Sequence, residues 1–213
     1  MAIEVLLYDA YGTLWDVHSV MKRCESCWPG KGAQLSLLWR SKQLEATWQR
    51  SLMGRYVPFS TVTREALGYA CEALKLSLQQ DHEDELMGEY LKLATFPDVA
   101  DAFMKKAAWK LGILSNGSPD MLDPLVRHSG LKFDAVLSVD AAKLFKPAPA
   151  AYQLAVERFG VPKERIGFVS SNFWDAAGAK SFGFHVYWIN RAGVAAERLG
   201  MQPDRVVKSL AAL

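Results

Sequence analysis

Cysteine is scarce in this chain, with three among 213 residues, and no apolar stretch is long enough to cross a bilayer. The cysteines include Cys24-Glu-Ser-Cys27, a lone CxxC without the second pair that a four-ligand zinc site needs, so free thiols are expected. Charge of one sign is lacking too: 25 Lys and Arg against 23 Asp and Glu leave a net charge of +2, which offers nucleic acid no basic footprint. The most basic local run, Lys105-Lys106 with Lys110, is expected to be a solvated helix face. The apolar run at the N-terminus is short and has no basic leader, so no secretory signal and a cytoplasmic location are expected. There is no internal repeat and no low-complexity segment. What remains is an ordinary globular composition, 50% hydrophobic and 23% charged, long enough for one sizeable domain or a core plus an insert.

The first stretch with chemistry in it is Glu4-Val-Leu-Leu-Tyr-Asp-Ala-Tyr-Gly-Thr-Leu-Trp-Asp16. Nothing polar alternates within residues 5–8, so they read as a strand buried on both faces. Asp9 sits where that strand stops, the position where open parallel α/β sheets bind ligands. An acid there is either a functional carboxylate or the cap of the next helix. From residue 17 to 93 only helical periodicity is visible, broken by Pro29-Gly30, Gly54 and Pro58. Residues 34–52 form the clearest helix, with Leu37, Leu44, Trp48 and Leu52 on one face, and residues 61–74 and 81–93 read as two more. This block is too long for a strand crossover. It reads as a helical cap domain, residues 16–95, inserted into a core made of residues 1–15 and 96–213.

In the core, helices over residues 98–107, 119–128, 149–159 and 175–182 alternate with strands over 109–114, 135–139, 166–169 and 185–189. That spacing predicts an α/β fold with a doubly wound parallel sheet. The strand ends then deliver Asp9, Tyr11 and Thr13; Ser115 and Asn116; Lys146; and Ser170, Asn172 and Asp175 to one edge. Each has a bland reading taken singly: Ser118 before Pro119 as a helix cap, Asn116-Gly117 as a turn, Lys146 as a surface lysine, Asp175 as an acid favoured by a helix dipole. Together, a carboxylate, a cation and several hydroxyl or amide donors suit displacement through a covalent ester, with Asp175 available as a base for water.

Asp9-Ala-Tyr-Gly-Thr-Leu14, Leu114-Ser-Asn-Gly117, Lys146-Pro147 and Val169-Ser-Ser-Asn-Phe-Trp-Asp175 resemble the four motifs of the haloacid dehalogenase superfamily. Arg40-Ser-Lys-Gln-Leu-Glu45, Arg50-Ser-Leu-Met-Gly-Arg-Tyr56 and Trp188-Ile-Asn-Arg191 extend the resemblance to its L-2-haloacid dehalogenase branch, over nearly the whole chain. The resemblance implies a Rossmann-like core, a 2-haloacid as substrate, halide as product, and no metal or other cofactor. It assigns Asp9 as the nucleophile at C2, Ser115 with Tyr11 to the substrate carboxylate, and Lys146 to charge neutralisation with Tyr152 in support. Thr13 and Ser170 would orient these groups, Asn172 and Asp175 the hydrolytic water, and Arg40, Asn116 and Trp174 would cradle the halide. Leu44 and Phe59 would be pocket wall, or simply core.

Two departures separate the chain from the superfamily's phosphatases, which carry a second Asp two residues after the nucleophile and a Mg²⁺-binding acid pair near the fourth strand. Tyr11 stands at the first position, and Ser170-Ser171 replaces one acid of the pair. Halide leaves without a proton, and a monoanionic substrate gives a divalent cation little charge to neutralise. A Mg²⁺-dependent phosphohydrolase and a non-catalytic binding module stand as the alternatives. Arg40 lies three residues after Leu37 and four before Leu44, flanking the apolar face; it either snorkels or waits, desolvated, for an anion. Ser41, where some relatives carry a larger amide, bears on pocket size. Leu35, Trp39 and Ala46 form a second apolar strip on the far side of the helix, which suggests a homodimer joined through the cap.

Overall fold

A computed structural model describes residues 2–104 and 109–213. Six parallel strands, β1 (Val5–Tyr8), β2 (Lys110–Ser115), β3 (Ala135–Ser138), β4 (Ile166–Ser170), β5 (His185–Ile189) and β6 (Arg205–Val207), form one sheet in the order β3-β2-β1-β4-β5-β6. The alternation of β1 explains why it must lie in the middle: Val5 and Leu7 enter one apolar cluster while Leu6 and Tyr8 enter the other, so both faces are covered. The strand order reverses direction beside β1, which opens a crevice at the carboxyl ends of β1 and β4.

The chain between β1 and β2 is helical among the described residues, and its first four α-helices are α1 (Met21–Cys27), α2 (Gly32–Leu52), α3 (Phe59–Ala73) and α4 (Gln80–Glu89). The core helices are α5 (Pro97–Met104), α6 (Pro119–Ser129), α7 (Pro149–Phe159) and α8 (Phe173–Phe182). Helix α6 has Pro119 in its first turn and Gly130 just beyond its end in the left-handed conformation, and α7 repeats the arrangement with Pro149 and Gly160. Hydrogen bonds tie the helical segment to the core, three of them away from the crevice residues. Tyr56 Oη donates to Asp140 Oδ1 (2.9 Å), Phe145 N to Ser51 Oγ (3.1 Å), and Ser60 N to Ser118 Oγ (3.1 Å). Ser118 therefore does not cap α6 with its side chain, as its place before Pro119 suggests; the hydroxyl is taken by α3.

Helix α2 turns its faces differently from the sequence expectation. Leu37 and Leu52 are 58% and 89% exposed, whereas Leu35, Trp39, Gln43 and Thr47 are buried on the side that α1 and α3 cover. Trp39 Nε1 donates to the Thr63 carbonyl at 2.8 Å, and its ring lies 4.8 Å from that of Tyr90. The polar Gln43 and Thr47 within the stripe hide it from a reading by apolar periodicity. The strip of Leu35, Trp39 and Ala46 is thus interior and offers no dimer surface. Ser41 is exposed and cannot set the pocket size. Strand β6 is not expected from the sequence, since only one of its three residues is buried, and α4 stops at Glu89, short of Leu93. The expected solvated face at Lys105-Lys106 lies outside the described residues, as does the end of the helix expected to reach residue 107.

Helix α8 approaches Pro147 and Tyr152 through Gly178, where an added Cβ would lie 2.5 Å from Pro147 Cβ and 2.6 Å from Tyr152 Oη. Overpacking of this kind costs about 1–3 kcal/mol, against roughly 1 kcal/mol gained by replacing a helical glycine with alanine. Gly178→Ala is therefore expected to lower the urea midpoint without changing the slope of the transition. An unchanged or raised midpoint would show that α8 can slide to make room.

Candidate active site

Asp9 is the last residue hydrogen-bonded to β4, its N–H donating to the Val169 carbonyl at 2.9 Å. The chain then turns back sharply, with Gly12 at φ +88°, a conformation that disfavours a side chain. The turn returns Thr13 Oγ1 to Asp9 Oδ2 at 3.0 Å. The same oxygen accepts from Asn172 Nδ2 (2.8 Å) and Ser170 Oγ (3.4 Å), while Oδ1 accepts from Lys146 Nζ (3.0 Å). A carboxylate held by four donors has one orientation, aimed away from them.

Lys146 is 1% exposed and its ammonium bridges two acids, Asp9 and Asp175 Oδ2, the latter at 2.7 Å. Burial disfavours the charge, but Asp175 and Asp9 outweigh it and hold Lys146 above its ordinary pKa. Asp175 is fully buried, accepting from Tyr152 Oη on Oδ1 at 2.7 Å and from Ser170 Oγ on Oδ2 at 3.3 Å. Desolvation, with the negative charge of Asp9, pushes its carboxyl up to about 6 despite the opposing pull of Lys146 and Tyr152. Tyr152 therefore supports the acid, and the lysine only through it. It does not line the cavity, so its place is behind the site and not among groups that touch substrate.

Asp9, Tyr11, Arg40, Leu44, Phe59, Ser115, Asn116, Asn172 and Trp174 enclose a cavity of about 10 Å³, room for one water-sized sphere. Arg40 reaches it from α2, with Nη1 donating to Gln43 Oε1 (2.6 Å) and Nη2 to the Tyr11 carbonyl (3.3 Å). Burial lowers its pKa, partly offset by Tyr90, Asp9 and Tyr11. Gln43 is itself fixed, donating through Nε2 to Thr63 Oγ1 at 2.7 Å. Two further donors are buried without a partner: Tyr11 Oη, whose pKa desolvation raises, and Asn116 Nδ2. Asn116 faces that way because its Oδ1 accepts from Lys146 N at 2.9 Å. Tyr11 is wedged between Phe59 and Tyr90, ring centroids 5.6 and 6.2 Å away, and against Gly117, where a Cβ would meet Tyr11 Cε2 at 2.7 Å. The cavity thus joins a fixed carboxylate to a set of partly unengaged donors, the chemistry of a nucleophile facing an anion site.

All fourteen residues singled out in the sequence lie in this cluster or directly against it. Gln43 and Thr63 are not foreseeable from the sequence, because buried polar residues on a helix look like surface until α3 covers them. Neither is the strut behind the site, although its Arg191 closes the Trp188-Ile-Asn-Arg191 motif. Arg191 donates to the Thr13 carbonyl (3.0 Å), Ser171 Oγ (3.0 Å) and Asp98 (2.9 Å), with its guanidinium 4.1 Å from the centre of the Phe96 ring. Asp98 in turn accepts from Leu210 N at 2.8 Å. Among the described residues no three His, Cys, Asp or Glu side chains cluster as metal ligands; the two site acids face each other across the Lys146 ammonium.

Removing one partner of a buried ion pair costs about 3–5 kcal/mol, since the remaining charge is stranded. Lys146→Met leaves Asp175 buried without its cation, so its folded-state pKa rises further above its unfolded value near 4. A raised acid loses stability as pH rises, so the deficit should be largest near neutral pH and shrink by about pH 5. Urea unfolding of the variant at both conditions checks this; a deficit equal at the two pH values would place the cost in packing instead.

The family model for haloacid dehalogenase-like hydrolases matches residues 3–183. An (S)-2-haloacid dehalogenase of Pseudomonas sp. (strain YL) is 48% identical, over 99% of this chain and 93% of its own. A crystal structure of an L-2-haloacid dehalogenase superposes with a TM-score of 0.95 at 48% identity, covering 99% of this chain and 96% of that one. Another, from Xanthobacter autotrophicus with chloropropionic acid covalently bound, gives 0.93 at 40% identity, covering 98% and 96%. With its parallel sheet, its strand-end acid and these relatives, the chain belongs to the haloacid dehalogenase-like hydrolases, in their L-2-haloacid dehalogenase branch.

Proposed function

We propose that this protein hydrolyses the carbon–halogen bond of short (S)-2-haloalkanoic acids to (R)-2-hydroxy acids and halide. The observation that carries the reading is the fixed Asp9 carboxylate in one cavity with Tyr11 and Asn116, whose Oη and Nδ2 are buried without partners, and with a desolvated Arg40. Ser115, with Tyr11 and nearby backbone amides, receives the substrate carboxylate, while Arg40, Asn116 and Trp174 receive the halogen. Leu44 and Phe59 meet the alkyl group. Asp9 attacks C2 from the face opposite the halogen, so the carbon inverts and the halide leaves without a proton. Lys146, Thr13, Ser170 and Asn172 keep Asp9 pointed at that carbon.

The second step hydrolyses the ester on Asp9. Asp175 is the base, with Asn172 placing the water. Before reaction its oxygens are covered by Lys146, Tyr152 and Ser170. Esterification removes the charge of Asp9, one of the two influences that raise the Asp175 pKa. Asp175 is then held as the carboxylate, and Lys146 loses one of its two anchors. Nothing in this route needs a divalent cation, since neither substrate nor leaving group carries phosphate charge. Residues 16–95 act as the cap that carries Arg40, Leu44 and Phe59 onto the core of residues 1–15 and 96–213. Three free thiols suit a cytoplasmic location, and among the described residues no helix is long and apolar enough to cross a membrane.

Halide release from each enantiomer of 2-chloropropionate, with and without EDTA, tests the function; turnover of the (S) form alone, unaffected by EDTA, is expected. Activity that EDTA abolishes would favour a Mg²⁺-dependent hydrolase. Asp9→Asn should lose about 10⁴-fold or more in turnover while staying folded. Asp175→Asn should leave an ester on Asp9 detectable by mass. A working base must be deprotonated, so ester breakdown in the unsubstituted protein should fall as pH drops through about 6 or slightly below; breakdown flat across that range would move the base elsewhere. Leu37 and Tyr69, exposed on the outer faces of α2 and α3, support a homodimer across these helices. Light scattering of wild type against Leu37→Glu should read dimer and monomer.

A further inference from the structure

Trp174 is a wall shared by cavities of very different size. On one side is the closed site around Asp9, and on the other an open pocket of about 520 Å³. The larger pocket is mostly apolar, lined by Trp48, Leu52, Leu144, Phe145 and Leu199 besides Trp174. The closed site, with room for one water-sized sphere, cannot admit a haloacid unless a wall moves. Most of its walls are pinned: Tyr11 is wedged between two rings and against Gly117, Arg40 and Asn172 are hydrogen-bonded, and Asn116 holds Lys146 N. Trp174 instead has space beyond it and leans on Trp48, with ring centroids 5.5 Å apart in an edge-to-face contact. Trp48 Nε1 is buried without a hydrogen-bond partner, an uncompensated position that moving the indole toward water relieves.

We propose that the pocket beyond Trp174 is an alkyl subsite, reached when the Trp48–Trp174 contact opens, and that Trp48 sets the chain length of 2-haloacid the protein accepts. This rests on the dehalogenase reading. The reacting carboxylate, C2 and halogen stay among Ser115, Asp9 and Arg40, while carbons beyond C3 run past Trp174 between Phe145 and Leu199. Hydrophobic walls discriminate modestly per methylene, on the order of tenfold or more, so the ratio of kcat/KM for two chain lengths reads the subsite directly.

The experiment measures halide release from (S)-2-chloropropionate and (S)-2-bromohexanoate by wild type, Trp48→Leu and Leu199→Trp. Trp48→Leu should raise the six-carbon to three-carbon ratio about tenfold. Leu199→Trp, which fills the pocket from an exposed loop remote from Asp9, should lower the ratio by a similar factor and leave three-carbon turnover within about twofold. Should Trp48→Leu fail to fold, Leu199→Trp decides alone. Normal three-carbon turnover with a ratio unchanged by Leu199→Trp overturns the subsite and leaves the dehalogenase reading standing. A wild type inert toward 2-chloropropionate overturns the reading and the subsite with it.

Discussion

The ammonium of Lys146 between two buried carboxylates is the interaction on which the site depends. An unpaired acid in such an interior would take up a proton and cease to be a nucleophile. Two acids in one crevice make the problem worse, and a single cation placed between them largely solves it. Asp9 is fixed by its hydrogen bonds and ion pair, while Asp175 is the acid whose proton affinity responds to its partner's charge. Under the proposed mechanism the couple divides one chemical task in time, nucleophile first and base second, with electrostatics linking the two steps.

The rest of the fold serves to bring those three groups together. Asp9 follows β1, Asp175 lies in the first turn of the helix after β4, and Lys146 arrives from the loop beyond β3. Only a parallel sheet with β1 and β4 adjacent places all three at one edge. Arg191 then braces the turn holding Thr13 against the loop holding Ser171, with Asp98 and the Phe96 ring fixing the guanidinium from behind. The helical segment contributes the anion-facing side, and Gln43 and Thr63 hold Arg40 at its rim.

The core is legible in the sequence because parallel strands bury both faces and so appear as unbroken apolar runs, with polar residues gathering where they end. Residues 149–159 and 185–189 have the same bounds in the sequence pattern and in the structure. Legibility fails where a polar side chain is buried by something distant in sequence. Gln43 and Thr47 interrupt the interior stripe of α2, so its exposed leucines pass for the inner face. Ser118 looks like a cap but serves α3, and Tyr152 looks like a partner of the lysine but holds the acid. Hydrogen-bond partners across the fold leave no periodicity to read.

Tyr11 carries a consequence for how this branch relates to its superfamily. Its ring fills the space between Phe59, Tyr90 and the bare backbone of Gly117, so the residue that replaces an acid is also a structural plug. An aspartate in its place would leave a void lined by aromatic rings and set a new negative charge beside Asp9. Converting the site toward phosphoryl chemistry therefore demands concerted change in the turn, in α3 and at Ser170 together. The residue at this turn is thus held by the shape of its surroundings as well as by its chemistry.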